Sequence, residues 1–352
     1  MTVETTSEVF SPQWVEEFSG DNLGCELGRG LYTWRDAGFG SNINNLLNSW
    51  VYGFVVEGWS DLALLVDGAQ LSRLECSQES EGLVSHGWSC LFSSMPHLCI
   101  FNSTEDWKQH LILAGVSAQD QEEADRISAS LGLIRRENIS RKFTALGVDQ
   151  RGAKAVMAKI LWSSMTPWLR TDMHVVTHVR EAFETSPFIA MHVRRGDKIE
   201  ENKASFLGVE KFLAAAVSYL EHQPSGMSVA AIKGIWVASD DAAVVGEVRT
   251  LADKYFPSVR SEDIVLAADG VPGGPETSPV TTHSDIQDYA SFVYLMADLE
   301  QLAAADVFVG TCSSNIGRLV MLLRDNLGKE KNSGISLDGA WNPMRQRSLA
   351  LD

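Results

Sequence analysis

Residues 188–198 read FIAMHVRRGDK. The first six form an unbroken apolar run closed by charged residues, the pattern of a strand buried on both faces. Downstream, strand and helix patterns alternate. Gly208–His222 (GVEKFLAAAVSYLEH) has the period of an amphipathic helix, Gly234–Ser239 (GIWVAS) reads as a second buried strand, and Ala242–Tyr255 as a helix. A strand at Asp263–Ala267, a long helix over Ile286–Ala304, a strand at Asp306–Thr311 and a helix over Asn315–Leu327 complete the series. Apolar strands joined by helices predict an α/β fold with a parallel sheet, and ligands of such sheets bind at the carboxyl ends of the strands. The HVRRGDK segment lies at such an end.

Upstream of this series the pattern is less regular. Asn42–Glu57 is expected to be helical and to lead into a strand at Leu62–Val66; Gln119–Leu131 reads as an acidic helix and Gln150–Arg170 as one longer helix. A boundary near Thr185 then divides the chain into an N-terminal α/β domain over 1–185, a parallel-sheet domain over 186–335 and a tail over 336–352. The residues after Leu337 are left free to pack back on the first domain. VPGGPETSP, from Val271 to Pro279, is a surface loop by its Gly and Pro content.

With 352 residues, 45% hydrophobic and 21% charged, the chain reads as globular, and disordered, collagen-like and coiled-coil classes are excluded. Its 29 Lys and Arg against 46 Asp and Glu leave a net charge of −17. Such a surface repels phosphate backbones, which argues against a nucleic-acid partner and requires any anionic ligand to be caught by a local cationic site. No run approaches the ~18 apolar residues of a membrane span, and the N-terminus MTVETTSEVFSPQW lacks the features of a signal peptide. Five cysteines show no zinc spacing, and their odd number leaves at least one free thiol. Asn102-Ser-Thr and Asn138-Ile-Ser fit the glycosylation acceptor pattern.

The candidate site residues follow from chemistry and position. Period-two alternation places His192 and Arg194 on one side of the strand end. Guanidinium groups make forked contacts with phosphate oxygens and keep their charge on burial. Arg194 and Arg195 therefore read as a diphosphate clamp with Asp197 holding one of them in place; the alternative is a structural salt bridge beside a buried strand. His192 is either a ligand contact or a satisfied core group. Asp240 and Asp241 follow the strand GIWVAS and fit helix caps or, as a pair, a metal site. Ser313, Ser314 and Asn315 lie where a strand meets a helix N-terminus, where N–H groups and small hydroxyls favour anions and where Ser also serves as an ordinary cap. Gly38 and Gly40 in AGFGSN allow a close backbone approach. Asp298, flanked by apolar Leu295, Met296 and Leu299, belongs to a solvated helix face or to the edge of the core.

HVRRGDK closely resembles the HxRRxDK motif of eukaryotic α1,6-fucosyltransferases and their bacterial chitooligosaccharide relatives, with a more distant likeness to α1,2- and protein O-fucosyltransferases. GIWVASDDAAVVGEVRTLADKYFP resembles the family's strand-then-DD segment. VYLMADLEQLAAADVFVGTCSSNIGRLV resembles its last strand and following helix, AGFGSN its GxG loop, and His86-Gly87-Trp88 is a weaker echo of another loop. The motifs occur in order over residues 30–325, most densely over 186–325.

The resemblance implies a GT-B type glycosyltransferase whose Rossmann-like C-terminal domain binds GDP-fucose. It implies inverting transfer of L-fucose, with no metal and no cofactor, to O6 of a GlcNAc residue of an N-glycan core or a related chitooligosaccharide. The partners are then GDP-fucose and an oligosaccharide or glycoprotein acceptor, and the compartment is the Golgi lumen if an N-terminal anchor precedes these residues, otherwise the cytoplasm. By the same resemblance Arg194 and Arg195 engage the diphosphate, His192 contacts the nucleotide, Asp298 pairs with the N1 and N2 edge of guanine, and Ser313–Asn315 contact phosphate. Asp240 and Asp241 belong to the donor side, and Gly38 and Gly40 lie near the nucleotide sugar. The family places its base glutamate shortly after the motif lysine. Here, in KIEENKASF from Lys198 to Phe206, an ungapped reading puts Asn202 there and a one-residue gain puts Lys203 there. Glu201-Asn-Lys as a variant of Glu-Ala-Lys restores a carboxylate. Glu201 is taken as the base with Glu200 second, and Lys198 as the residue that orients it; a solvated charged loop is the alternative. The motif tyrosine is replaced by Phe212, the family's helical stem and SH3-like domain have no counterpart, and Cys312 has no evident disulfide partner. Rival readings are the same donor with a protein Ser/Thr or galactose O2 acceptor, and a catalytically silent GDP-sugar binder.

Overall fold

The elements in chain order are β1 (Gly30–Thr33), α1 (Phe39–Val56), β2 (Leu62–Leu65), β3 (Glu75–Gln78), β4 (Leu83–His86), β5 (Leu98–Phe101), α2 (Gln150–Ser163), α3 (Pro167–His178), β6 (Phe188–Val193), α4 (Val209–His222), β7 (Gly234–Ser239), α5 (Ala243–Tyr255), β8 (Ile264–Val265), α6 (Tyr289–Ala304), β9 (Val307–Gly310), α7 (Asn315–Asn326) and β10 (Gly334–Ser336). This computed structural model describes residues 30–33, 39–56, 62–65, 75–78, 83–92, 98–101, 150–178, 186–195, 207–223, 226–241, 243–265 and 289–341. The expected helix over Gln119–Leu131, the VPGGPETSP loop and both glycosylation triplets lie outside the described residues.

The expected parallel sheet is formed by β6 to β10. Its order is β10-β9-β6-β7-β8, and every pairing is parallel. The chain builds outward from β6 through β7 to β8, then returns to place β9 and β10 on the other side. The direction of winding thus reverses between β6 and β9, and the carboxyl ends of those two strands flank the crevice where such sheets bind ligands. All residues of β6, β7 and β9 are buried, as continuous apolar strands require. Helix α4 covers β6 and β9, α5 covers β7 and β8, and α6 lies on β6 and β7. In α4 the buried residues Val209, Phe212, Leu213, Ala216 and Leu220 recur at helical spacing and form its core stripe. Phe212, where the resembled family has a tyrosine, is part of that stripe.

The first compact unit holds the parallel sheet β1-β2-β5 and the antiparallel hairpin β3–β4. A disulfide joins Cys76 on β3 to Cys90, with Cα atoms 5.7 Å apart. Cys99 is also disulfide-bonded, whereas Cys312 is a buried free thiol. Cross-links of this kind persist where thiols are oxidised. Within the same unit the buried Lys154 ammonium donates to Asn44 Oδ1 at 3.4 Å, which ties α2 to α1.

Two sequence expectations need correction. The single helix expected over Gln150–Arg170 is two helices, because Pro167 has no N–H to continue the ladder and instead opens α3 at its first position. By compactness the chain forms one unit from residues 1–37 and 41–166 and a second from 38–40 and 167–352. Thr166 is bonded to the first unit through its N–H to Leu91 O at 2.9 Å and its hydroxyl to Cys90 O at 3.2 Å. Beyond it, α3 packs on α6, where Tyr289 donates to Asp172 at 2.8 Å. The described part of the tail also differs from expectation. Leu337 N–H bonds Gly310 O, and Trp341 stacks on Phe308 with centroids 5.8 Å apart, so residues 337–341 pack on the second unit.

Arg324 of α7 shows how the sheet end opposite the crevice is held. Its buried Nη1 donates to Ala305 O at 2.6 Å and Ala303 O at 3.1 Å, and its Nη2 to Ser333 Oγ at 2.6 Å. The carbonyls at the end of α6 have no intrahelical donors, so a cation there satisfies both their hydrogen bonding and the helix dipole. Burial lowers its pKa from 12.5 to about 10, which still leaves it charged at neutral pH. Arg324→Ala is expected to lower the unfolding free energy by about 2–4 kcal/mol in urea denaturation, since several buried acceptors lose their donor at once.

Candidate active site

The residues just past the ends of β6 and β7 form an ionic cluster. The Asp240 side chain is fully buried; its Oδ1 accepts the Arg195 backbone N–H at 2.7 Å and its Oδ2 lies 3.4 Å from Arg194 Nε. Ser239 Oγ donates to Val193 O at 2.8 Å and accepts the Asp241 N–H at 3.1 Å, which ties the two strand ends together again. Asp241 Oδ1 accepts the Ala243 N–H at 2.9 Å and so caps α5. Both halves of the DD pair are therefore spent on protein groups. Among the described residues no set of three or more His, Cys, Asp or Glu side chains is placed to hold a metal ion.

The two arginines have different surroundings. Arg195 points to α5, where its Nη1 and Nη2 meet the two carboxylate oxygens of Glu247 at 2.6 and 2.7 Å, with Asp241 Oδ2 at 3.4 Å from Nη1. The structural salt bridge weighed from sequence is thus the arrangement found for Arg195, with Glu247 as the partner. Glu247 was not picked out from the sequence; its place opposite Arg195 depends on the β6–β7 pairing and on the start of α5. The guanidinium fork holds the Glu247 carboxyl below its usual range. Arg194 remains at the rim, with 13% of its side chain exposed against 6% for Arg195. His192, inside β6, is buried and its Nδ1 has no hydrogen-bond partner. Burial first, and the Arg194 charge second, pull its pKa from 6.5 to about 3, so the ring is neutral at physiological pH.

The adjacent strand end carries the turn into α7. Ser314 is its N-cap, with Oγ accepting the Gly317 N–H at 3.4 Å. Arg318, buried, donates to Cys312 O at 2.9 Å and to Asn315 Oδ1. Strands β6 and β9 are parallel neighbours, with Ala190 opposite Phe308 and Met191 opposite Val309, so the segments that follow them leave the sheet at the same edge. Ser313–Asn315 and Arg194 therefore flank the same switch-point crevice. Gly40, which belongs to the second unit, meets this turn as well: a Cβ there would come within 2.8 Å of Ile316 Cδ1 and 3.2 Å of Ile316 N, so the position leaves no room for a side chain. Phe39 beside it packs edge-on against Phe292 at 4.9 Å.

Asp298 lies elsewhere, on α6 beneath the sheet. It is fully buried and accepts the Trp236 indole N–H at 2.8 Å, so the solvated-face alternative is excluded. Gly38, Asp197, Lys198, Glu200 and Glu201, with the Asn202 and Lys203 alternatives, lie outside the described residues.

Two measurements check this geometry. His192 is neutral when folded and protonates near pH 6.5 when unfolded, so the unfolded chain binds the extra proton between pH 6.5 and about 3. Stability should therefore fall as pH drops through that window, and His192→Asn should flatten the fall in thermal melts recorded from pH 7 to pH 4. For the Arg195–Glu247 fork, urea denaturation of Glu247→Gln, Arg195→Met and the double variant should give a coupling of about 1–2 kcal/mol, below that of a fully buried pair because Glu247 is 41% exposed.

A family model for α-(1,6)-fucosyltransferase N- and catalytic domains matches residues 157–339. Among solved structures, the chain aligns with NodZ α-1,6-fucosyltransferase soaked with GDP-fucose at 16% identity and a TM-score of 0.44, over 84% of this chain and 92% of that one. The fucosyltransferase NodZ from Bradyrhizobium aligns at 14% identity and 0.44, over 84% and 93%. POFUT1 in complex with GDP-fucose aligns at 11% identity and 0.47, over 89% and 99%. Comparison with curated proteins finds no match. The family model spans more than half of the chain and includes the HVRRGDK segment, the DD pair and the β9–α7 turn: the chain belongs to the α-(1,6)-fucosyltransferase family, a group of glycosyltransferases.

Proposed function

We propose that this protein transfers L-fucose from GDP-fucose to O6 of a GlcNAc-type acceptor, with inversion and without a metal ion. The observation that carries the reading is the pairing, across the β6/β9 switch point, of a rim arginine fixed by a buried carboxylate with a Ser-capped helix N-terminus. In an acidic chain these are the groups suited to a diphosphate. Arg194 and the first turn of α7 hold the diphosphate and offset the charge that grows on it as the C1–O bond breaks. The acceptor O6 attacks fucose C1 from the opposite face, its proton passes to the Glu201 carboxylate, and the bonding pair leaves with GDP. Lys198 orients that carboxylate. Asp240 and Arg195 set the frame that presents Arg194.

The test is fucosyl transfer to a chitooligosaccharide or a GlcNAc-terminated N-glycan core, with the linkage of the product determined by NMR. Arg194→Ala should weaken GDP by about 1.5–3 kcal/mol, the range of a charge-assisted contact, and remove turnover. Glu201→Gln should keep GDP affinity and lose turnover by roughly a hundredfold or more, the scale of general-base catalysis. GDP affinity without transfer in wild-type protein would identify a silent binder instead. Transfer to a Ser/Thr hydroxyl or to galactose O2 would retain the donor and overturn the acceptor.

A further inference from the structure

Between β9 and α7 the chain makes the turn Thr311–Cys312–Ser313–Ser314, closed by the Ser314 N–H to Thr311 O at 3.1 Å. The two N–H groups inside this turn go to one carboxylate. Asp338 Oδ1 accepts from Cys312 N at 2.6 Å and Oδ2 from Ser313 N at 3.2 Å. Asp338 comes from a segment 25 or 26 residues further along the chain and is itself held in place. Ser336 Oγ donates to its Oδ1 at 3.1 Å and also accepts the Cys312 N–H at 3.0 Å. Before it, β10 pairs Ser336 with Gly310; after it, Trp341 donates to Gly334 O at 2.8 Å.

The acceptors of the same turn are taken from the other side. The Arg318 guanidinium donates to Cys312 O and to Asn315 Oδ1. One anion thus holds the Cys312 and Ser313 N–H groups while one cation holds the Cys312 carbonyl and the Asn315 side chain, which ties the turn down from both sides. Gly317 completes the fit, because a Cβ there would come within 2.7 Å of Thr311 O.

A carboxylate close to a helix N-terminus also has an opposing effect, since its charge competes with an incoming phosphate for the same field. Two features decide which effect wins. Asp338 uses the N–H groups of Cys312 and Ser313, which precede the helix, whereas the helical donors begin at Asn315. Asp338 is also solvent-exposed, so its field on a phosphate is screened, whereas its bonds to the backbone act directly on the shape of the turn.

We propose that Asp338 is a positioning residue for donor binding: its carboxylate fixes the Cys312–Ser313 backbone so that Ser313–Asn315 meet the diphosphate. This rests on the reading of that turn as the diphosphate seat. The experiment titrates full-length wild type, Asp338→Ala and Asp338→Asn with GDP and with guanosine, which lacks phosphate, alongside thermal melts. Asp338→Ala should lose roughly tenfold or more in GDP affinity while guanosine affinity stays unchanged, as expected for loss of phosphate contacts alone. Asp338→Asn keeps one acceptor oxygen and should fall between. Unchanged GDP affinity in both variants would overturn the proposal. A rise would make Asp338 a competing anion, and a parallel fall for GDP and guanosine would make it a general structural residue; both overturn it. If wild type itself binds GDP no more tightly than guanosine, it is the diphosphate seat that fails, a result separate from any difference among the variants.

Discussion

A buried carboxylate must be paired, and in this protein the pairing of Asp240 organises the whole crevice. Asp240 closes β7 onto β6 by accepting the Arg195 N–H, and the same group faces Arg194 Nε. Successive residues of an extended chain point to opposite sides, so two neighbouring arginines cannot do the same work. Arg195 is turned toward α5 and locked by Glu247, and Arg194 is left at the rim. The two guanidinium groups are thus set by different acids, Arg195 by Glu247 and Arg194 by Asp240.

Topology then gives the rim arginine its counterpart. Because winding reverses between β6 and β9, the strand end carrying Arg194 lies beside the one that turns into α7. In a chain with a net charge of −17, a phosphate ligand has to be held by short-range contacts against the global field. A rim guanidinium and a helix N-terminus, brought together by strand order, meet that need with groups whose geometry is fixed before a ligand arrives.

Much of this was legible in the sequence because it was local. The runs FIAMHV and GIWVAS are apolar throughout, since both faces of their sheet are covered, and each fell within its expected bounds. The turn at Ser313–Asn315 was legible from the meeting of a strand and a helix pattern. What was missed is non-local or short. Glu247 and Asp338 act on residues 52 and 25 or 26 positions away, and no spacing rule reports such a contact. Strand β10 is three residues, Gly-Ile-Ser, too brief to show a period. Pro167 is visible in the sequence, but the helical period runs on both sides of it, so the period alone does not mark the break between α2 and α3. The apolar neighbours of Asp298 leave a solvated face and the edge of the core both open, and its bond to Trp236 depends on how α6 lies on β7.

The central claim is that the crevice between β6 and β9 is a metal-free seat for a guanosine diphosphate. Calorimetric titration of the purified protein with GDP and with ADP, in the presence of a chelator, tests it most directly. The account predicts saturable GDP binding that chelation does not alter, with ADP weaker by roughly tenfold or more, equivalent to about 1.4 kcal/mol. Binding of neither nucleotide, or GDP binding that appears only when a divalent ion is restored, would contradict it.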